Sequence, residues 1–208
     1  MKKAILFACL TLCGCVTNRT DPTYNGADSG AVVFAAGLTG TCEGFSFEYR
    51  NLHPQPGLLT SKIDGRIMYS SKSIRFWGRK EDFSGEESGI VTIHHLEPGE
   101  YELYTFTIYG TYNGIGHFDW FPQHEFSLKF TVTPGKAIYL GDFNCVGQTQ
   151  KNFLGFEGDA GGYFVISDKH DRDLPIAQKQ EPNLPPPALA VPDVDRAGEP
   201  TLRSRKRY

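Results

Sequence analysis

Residues 126–133 read Phe-Ser-Leu-Lys-Phe-Thr-Val-Thr, and this stretch decides the fold class. Four apolar side chains alternate with four polar ones, so a β-strand would place the apolar set on one face and the polar set on the other. This alternation is typical of an antiparallel sheet with one buried and one solvated face.

The same pattern recurs towards the N-terminus. Phe45, Phe47 and Tyr49 alternate with polar residues, while residues 31–36 and 163–166 are short apolar runs that suit strands buried on both faces. No long segment between residues 31 and 168 keeps a helical period. We therefore predict an all-β domain over residues 31–168, built as an antiparallel β-sandwich.

Composition agrees with a β-rich fold and limits the partners. The 208 residues include 23 Gly, 13 Pro and 13% aromatic residues. Residues 15–168 carry 11 Lys and Arg against 18 Asp and Glu. Such an acidic body argues against a nucleic-acid partner.

Residues 96–103, Leu-Glu-Pro-Gly-Glu-Tyr-Glu-Leu, place a Pro-Gly turn just before a tyrosine. The motif resembles the corner between strands E and F of immunoglobulin-like, fibronectin-like and carboxypeptidase-regulatory-like sandwiches. The resemblance implies that Pro98 and Gly99 shape the turn and that the Tyr101 hydroxyl bonds to upstream backbone. We expect an immunoglobulin-like or transthyretin-like sandwich.

Residues 133–141 look like the final hairpin of uncharacterised bacterial envelope lipoproteins with such a domain, with Pro134-Gly135 as a tight turn. The resemblance covers residues 31–168 and brings no known activity.

Residues 169–208 differ from the body, because they hold seven of the 13 prolines. We predict a short helix or turn over residues 171–180, followed by a mostly disordered Pro-rich tail. The basic end, residues 203–207, is either a solvated tail or a contact for anionic envelope polymers or lipid head groups.

The N-terminus predicts export. Lys2 and Lys3 precede an apolar run over residues 4–12, which is too short to span a bilayer but suits a signal peptide. The exit, Leu12-Cys13-Gly14-Cys15, resembles the lipobox of bacterial lipoproteins.

That resemblance implies cleavage of residues 1–14 and lipidation of Cys15, with residues 15–30 as a polar tether. Val16, in place of Asp, resembles the pattern of outer-membrane sorting, so we expect a lipid-anchored protein on the outer membrane, facing the periplasm. An ordinary secretory signal with a chance cysteine is the alternative.

Cleavage would leave Cys42 and Cys145 beside the lipidated cysteine. An even pair in an oxidising compartment predicts a disulfide between them. Two buried free thiols or a metal pair are the alternatives.

One segment, residues 114–125, gathers possible ligand groups: His117, Asp119, Trp120 and His124. Two imidazoles and a carboxylate could bind a divalent ion if the segment forms a folded-back loop. The segment could instead be an aromatic patch for a glycan, peptide or protein, or it could simply cap the sandwich.

Motifs for a catalytic nucleophile or a phosphate loop are absent from the sequence. We expect no catalytic residues, no cofactor, no resident metal and no enzymatic activity. The expected role is structural or adaptor-like, with the membrane and an envelope protein as partners. The alternative is a module that binds a glycan or metal through residues 114–125.

Overall fold

The computed structural model describes residues 28–53, 65–71, 80–112, 116–151, 155 and 157–205. The predicted signal peptide, Cys15 and most of the predicted tether lie outside these residues. In chain order, the elements are β1 (Gly30–Thr39), β2 (Gly44–Asn51), β3 (Gly65–Ser70), β4 (Ser88–Leu96), β5 (Gly99–Tyr112), β6 (Gly116–Trp120), β7 (Leu128–Val132), β8 (Ala137–Lys151), β9 (Glu157–Ser167), α1 (His170–Gln180), β10 (Ala188–Leu189), a 3-10 turn (Val194–Arg196) and β11 (Leu202–Ser204).

The strands form two sheets, as the alternating pattern predicts. Sheet A has the order β4-β1-β8-β9-β11, and β10 pairs with the start of β8. Sheet B has the order β3-β2-β5-β6, and β7 pairs with the first half of β5. Most pairs are antiparallel, but β1 and β10 run parallel to β8 and β11 runs parallel to β9, so sheet A is mixed rather than antiparallel throughout as expected. The described chain is therefore an all-β sandwich with one short helix.

Aromatic side chains join the two sheets. The ring of Phe47 in β2 lies 5.1 Å from that of Phe143 in β8 and 4.7 Å from that of Phe164 in β9, between ring centroids. Phe34 of β1 stacks on Phe143 at 4.4 Å. Large rings, most of them at tilted or perpendicular angles, fill this core between the sheets.

Strand β1 is buried on both faces, as its apolar run predicts. Val32, Phe34 and Ala36 belong to the core between the sheets. Ala31, Val33 and Ala35 belong to a second apolar cluster on the outer face of sheet A.

The second cluster is closed by the C-terminal segment, residues 169–205. Ala177 of α1 and Leu184 pack on it, while Val194 and Leu202 enter the main core. These four side chains are at most 5% exposed. The prediction of a short helix is confirmed, but the prediction of disorder after it is wrong, and the folded unit extends to Arg205 rather than ending at residue 168.

The C-terminal segment is ordered because of where its few apolar residues lie and because its backbone pairs with strands of the sandwich. A count of apolar residues predicts disorder because the segment has few of them. Four of those few, Ala177, Leu184, Val194 and Leu202, fill separate sites on the finished sandwich, and β10 and β11 pair with β8 and β9. Pairing with preformed strands satisfies backbone groups that the segment could not satisfy alone.

The expected hairpin at Pro134-Gly135 is also wrong. Strand β7 belongs to sheet B and β8 to sheet A, so this turn crosses between the sheets. Gly135 has φ +62, a conformation that glycine adopts without strain.

Candidate functional site

The sulfurs of Cys42 and Cys145 lie at disulfide distance, 1.98 Å, as the sequence predicts. Cys42 follows β1, and Cys145 lies in β8 opposite Leu38. The bridge therefore ties the turn after β1 to the neighbouring strand, and both cysteines are buried. It serves the structure and leaves no thiol there for chemistry.

The predicted corner lies between β4 and β5. The Tyr101 hydroxyl donates a hydrogen bond to the carbonyl oxygen of Glu97 at 2.8 Å. The Tyr101 ring stacks on Phe130 of β7 with centroids 5.5 Å apart. Pro98 precedes β5 and Gly99 begins it, close to the Asn51 side chain. The corner fixes the connection between the sheets and has a structural role.

The predicted ligand segment is partly a strand rather than a loop. Residues 116–120 form β6, in which His117 pairs with Thr111 and Trp120 with Ile108. Residues 114 and 115 and the side chain of His117 lie outside the described part. Asp119 and Trp120 are neighbours in a strand, so their side chains point to opposite faces. His124 is exposed in the connection to β7.

The metal hypothesis requires His117, Asp119 and His124 together, and the side chain of His117 is not among the described ones. Among the described residues, no group of three or more His, Cys, Asp or Glu side chains is placed to hold a metal ion. The aromatic hypothesis keeps some support, because Trp120 is 42% and Phe121 63% exposed.

Trp120 lies against the backbone of β9. A Cβ atom built on Gly161 would be 2.8 Å from Cδ2 of the indole, so only glycine permits this contact. Gly161 also has φ +82. The indole bridges sheet B and sheet A at one edge of the sandwich, with part of its surface exposed.

The largest concentration of buried charge was not predicted as a site. It comprises Glu87, Asp142, Lys169, Arg172 and Asp173, and we call it the buried charge cluster. It lies on the outer face of sheet A, where α1 begins.

Asp142 and Asp173 are the centre of this cluster, and both are 0% exposed. Lys169 Nζ lies 3.1 Å from Asp142 Oδ2, and Arg172 Nη2 lies 3.0 Å from Asp142 Oδ1. Arg172 Nε donates to Asp173 Oδ1 at 2.6 Å. Glu87 accepts hydrogen bonds from both Lys169 and Arg172.

Neutral groups complete the arrangement. Tyr139 of β8 donates to Asp173, and the backbone N–H of Lys169 donates to the Tyr139 oxygen. Ser167 donates to Asp142 at 3.4 Å. The Arg172 guanidinium lies 3.5 Å from the centroid of the Phe83 ring, so an aromatic face covers its outer side.

Burial sets the ionisation of the cluster. Burial and the Glu87 carboxylate raise the pKa of Asp142 to about 6, against the opposing effect of Lys169 and Arg172. Burial alone would raise the pKa of Glu87, but hydrogen bonds from Lys169 and Arg172 leave it below its usual value. Burial and Asp173 raise the pKa of Tyr139, so it stays a neutral donor.

Sequence reasoning missed this cluster because residues 168–173 look like an ordinary solvated charge tract. The adjacent acids Glu86 and Glu87 also look exposed, yet the Glu87 side chain is only 10% exposed. One signal was available. Asp142 interrupts the apolar residues of β8, where an acid requires buried partners.

A second polar network lies on the outer face of sheet B. Arg50 pairs with Glu102 at 2.8 Å and with Glu125 at 3.0 Å. Tyr104 donates to Glu48 at 3.0 Å, and Arg66 pairs with the same carboxylate. Burial and the Glu48 carboxylate raise the pKa of Tyr104. Each of these acids has a cation partner, so the arrangement offers no unpaired base.

Comparison with models of protein families, with curated proteins and with solved structures finds no match. Among the described residues, no helix is both long and apolar enough to cross a bilayer.

Proposed function

We propose that this chain is a lipid-anchored cell-envelope protein, held through Cys15 on the outer membrane, with a structural or adaptor role towards another envelope protein. The observation that carries the proposal is the motif Leu12-Cys13-Gly14-Cys15 directly after a short apolar run. Several acyl chains on one cysteine give stable anchoring where a single chain does not.

The disulfide supports the exported compartment. Disulfides persist in oxidising compartments such as the periplasm and are rare in a reducing cytosol. Cys42 and Cys145 are buried and bridged, so the folded domain suits the location that the motif implies.

The proposal of an adaptor role rests on the ion pairs that the described polar side chains form. In both polar networks, cations bind the acids and hold strands or α1 in place. Groups committed to such pairs build a rigid scaffold, and a rigid scaffold suits presentation of a surface to a partner.

Of the two sandwich types expected, we propose the transthyretin-like one. Immunoglobulin domains place their first and second strands in one sheet. Here β1 and β2 lie in opposite sheets, and β1 pairs with β4 and β8. This strand order favours the transthyretin-like type.

Metabolic labelling with palmitate tests the anchor in cells that express the full chain. We expect label on the wild type and on the control Cys13→Ala, and loss of label in Cys15→Ala. Equal labelling of Cys15→Ala would overturn the lipid anchor.

Photo-crosslinking tests the adaptor role. A photoreactive residue at Phe121 or at Met68, which are 63% and 54% exposed, samples two parts of the surface in whole cells. An adaptor should give one crosslinked envelope protein at one of these positions and none in a strain that lacks that protein. Crosslinks to lipid alone would argue against an adaptor role. Crosslinks to many proteins, each in proportion to its abundance, would also argue against it.

A second candidate function, glycan binding, rests on Trp120. Its indole is fixed against Gly161 and remains 42% exposed, next to the more exposed Phe121. A fixed and partly exposed ring can stack on a sugar. Cell-wall glycan fragments should raise the melting temperature of the wild type and leave that of Trp120→Ala unchanged. An equal or absent shift in both proteins would reject this role.

A further inference from the structure

The buried charge cluster is not balanced. Among the described residues, its three acids, Glu87, Asp142 and Asp173, face two cations, Lys169 and Arg172. With every member ionised, the cluster carries one excess negative charge in a place where both aspartates are fully buried. An uncompensated buried charge is costly, and one bound proton would remove it.

Asp142 is the member that takes this proton. Its facing groups come from four places: Tyr139 of β8, Ser167 of β9, Glu87 next to β4, and Lys169, Arg172 and Asp173 around the start of α1. Burial and Glu87 raise the pKa of Asp142 to about 6, while the pKa of Glu87 is lowered. The charge count and the environment of Asp142 therefore both favour a proton on Asp142.

The cluster joins three separate parts of the chain. Asp142 and Tyr139 belong to β8, Glu87 directly precedes β4, and Arg172 and Asp173 belong to α1. Beneath α1 lies the apolar outer face of sheet A, which Ala177 covers. Whatever weakens the cluster therefore weakens the contact between α1 and this apolar face.

We propose that the buried charge cluster is a proton-dependent latch, which holds α1 tightly on sheet A in mildly acidic medium and less tightly in neutral to alkaline medium. Opening of α1 exposes Asp142 to water and returns its pKa towards its ordinary value. The closed state thus binds the proton more tightly than the open state, and acid favours closure.

Hydrogen exchange of the full chain, followed by mass spectrometry at pH 5.0 and pH 8.0, tests the latch. After correction for the intrinsic exchange rate, we expect amides of α1 to be about tenfold better protected at pH 5.0. That factor follows from a pKa of about 6 in the closed state and 3.8 in the open state. Amides of β2, in the opposite sheet, should not share this dependence.

Two variants test whether the pH dependence of protection in α1 comes from the buried charge cluster. Asp142→Asn and Glu87→Gln each remove the excess negative charge, so both should give α1 the same protection at the two pH values. Using both keeps the test valid if one variant fails to fold. Asp171→Asn is the matched control, because Asp171 lies on the same helix with its side chain 93% exposed, and this variant should keep the tenfold change.

Equal protection of wild-type α1 at pH 5.0 and pH 8.0 would overturn the proposal. A tenfold change that persists in both Asp142→Asn and Glu87→Gln would overturn it as well, because the dependence would then come from another group.

Discussion

The hydroxyl of Tyr139 in β8 donates a hydrogen bond to the carboxylate of Asp173 in α1, 34 positions further along the chain. Both residues are fully buried, and the same hydroxyl accepts the backbone N–H of Lys169 just before the helix. One phenol therefore fixes both the start of α1 and its first turn on the outer face of sheet A.

Tyr139→Phe tests this contact. The change removes one donor from a buried carboxylate and leaves the Lys169 N–H without its acceptor. We expect a loss of about 1–3 kcal/mol in the free energy of unfolding, measured with urea. Tyr163→Phe is the control, since its ring lies under the Arg203 guanidinium at 3.9 Å, a contact that phenylalanine keeps. Equal losses in the two variants would mean that the Tyr139 hydroxyl has no special role.

The dependence of stability on pH follows from two acids of the cluster. The pKa of Asp142 is raised in the folded state, so its contribution is full below pH 3.8 and disappears as the pH rises through about 6. The pKa of Glu87 is lowered, so its contribution is present above pH 4.5 and is lost as the pH falls through the folded value. The two contributions together should therefore be largest between about pH 3.8 and 4.5, and stability should fall as the pH rises from there through about 6.

Urea unfolding from pH 3.5 to pH 8 measures this profile. The full effect of Asp142 amounts to about 3 kcal/mol, taken from the difference between 3.8 and about 6. Asp195→Asn, at an exposed position, should leave the profile unchanged. A steady gain in stability from pH 4.5 to pH 8 would contradict the assignment.

Removal of the disulfide should destabilise the domain strongly. Cys42 and Cys145 are 103 positions apart, and the chain-entropy model gives about 4–5 kcal/mol for a loop of that length, as an upper value. We expect the double variant Cys42→Ala/Cys145→Ala to unfold at a much lower urea concentration than the oxidised wild type. Reduction of the wild type should reproduce the shift, and a change below about 1 kcal/mol would show that the bridge adds little.

Substitutions at Gly161 and Gly155 distinguish the effect of backbone strain from the effect of the contact with Trp120. Both have φ +82, but only a Cβ on Gly161 would collide with the indole, whereas Gly155 has open space. Alanine at either site should cost about 1 kcal/mol through strain. Gly161→Ala should lower the free energy of unfolding by more than this and should shift the fluorescence emission of Trp120. The fluorescence is recorded in the Trp77→Phe background, so that Trp120 is the one indole that emits. Identical effects at both sites would rule out a close contact.

Truncation tests the integration of the C-terminal segment. A stop after Asp168 removes Val194 and Leu202 from the main core and uncovers the apolar outer face of sheet A. We expect this protein to aggregate or to bind a hydrophobic dye, because a large apolar face would be exposed. A stop after Arg205 should keep the melting temperature of the full chain. A soluble, cooperatively unfolding domain 1–168 would show that the segment is dispensable.

The sequence predicts the sandwich because its signals are local. The alternation around Phe130 and the apolar run around Val33 each report which faces of one strand are buried, and both predictions agree with β7 and β1. The pairing of Cys42 with Cys145 follows from parity, since these two cysteines are left if residues 1–14 are cleaved and Cys15 carries lipid.

The buried charge cluster could not be predicted in the same way. Its ion pairs join residues up to 85 positions apart, such as Glu87 and Arg172, and each charge looks solvated in its own neighbourhood. Residues 114–125 likewise favour the prediction of a loop, because the alternation of Phe118 and Trp120 with His117 and Asp119 in β6 is too short to identify a strand by itself. Such features depend on neighbours that only the completed topology provides.

The pairing of β11 with β9 sets the order in which the molecule can become complete. Leu202 enters the core from the C-terminal segment, and Ser204 pairs with Ile166. A polypeptide that leaves a ribosome or a translocation channel N-terminus first therefore cannot complete this part of its interior until residues 202–204 have emerged. Until then, the place in the core that Leu202 fills stays open to water.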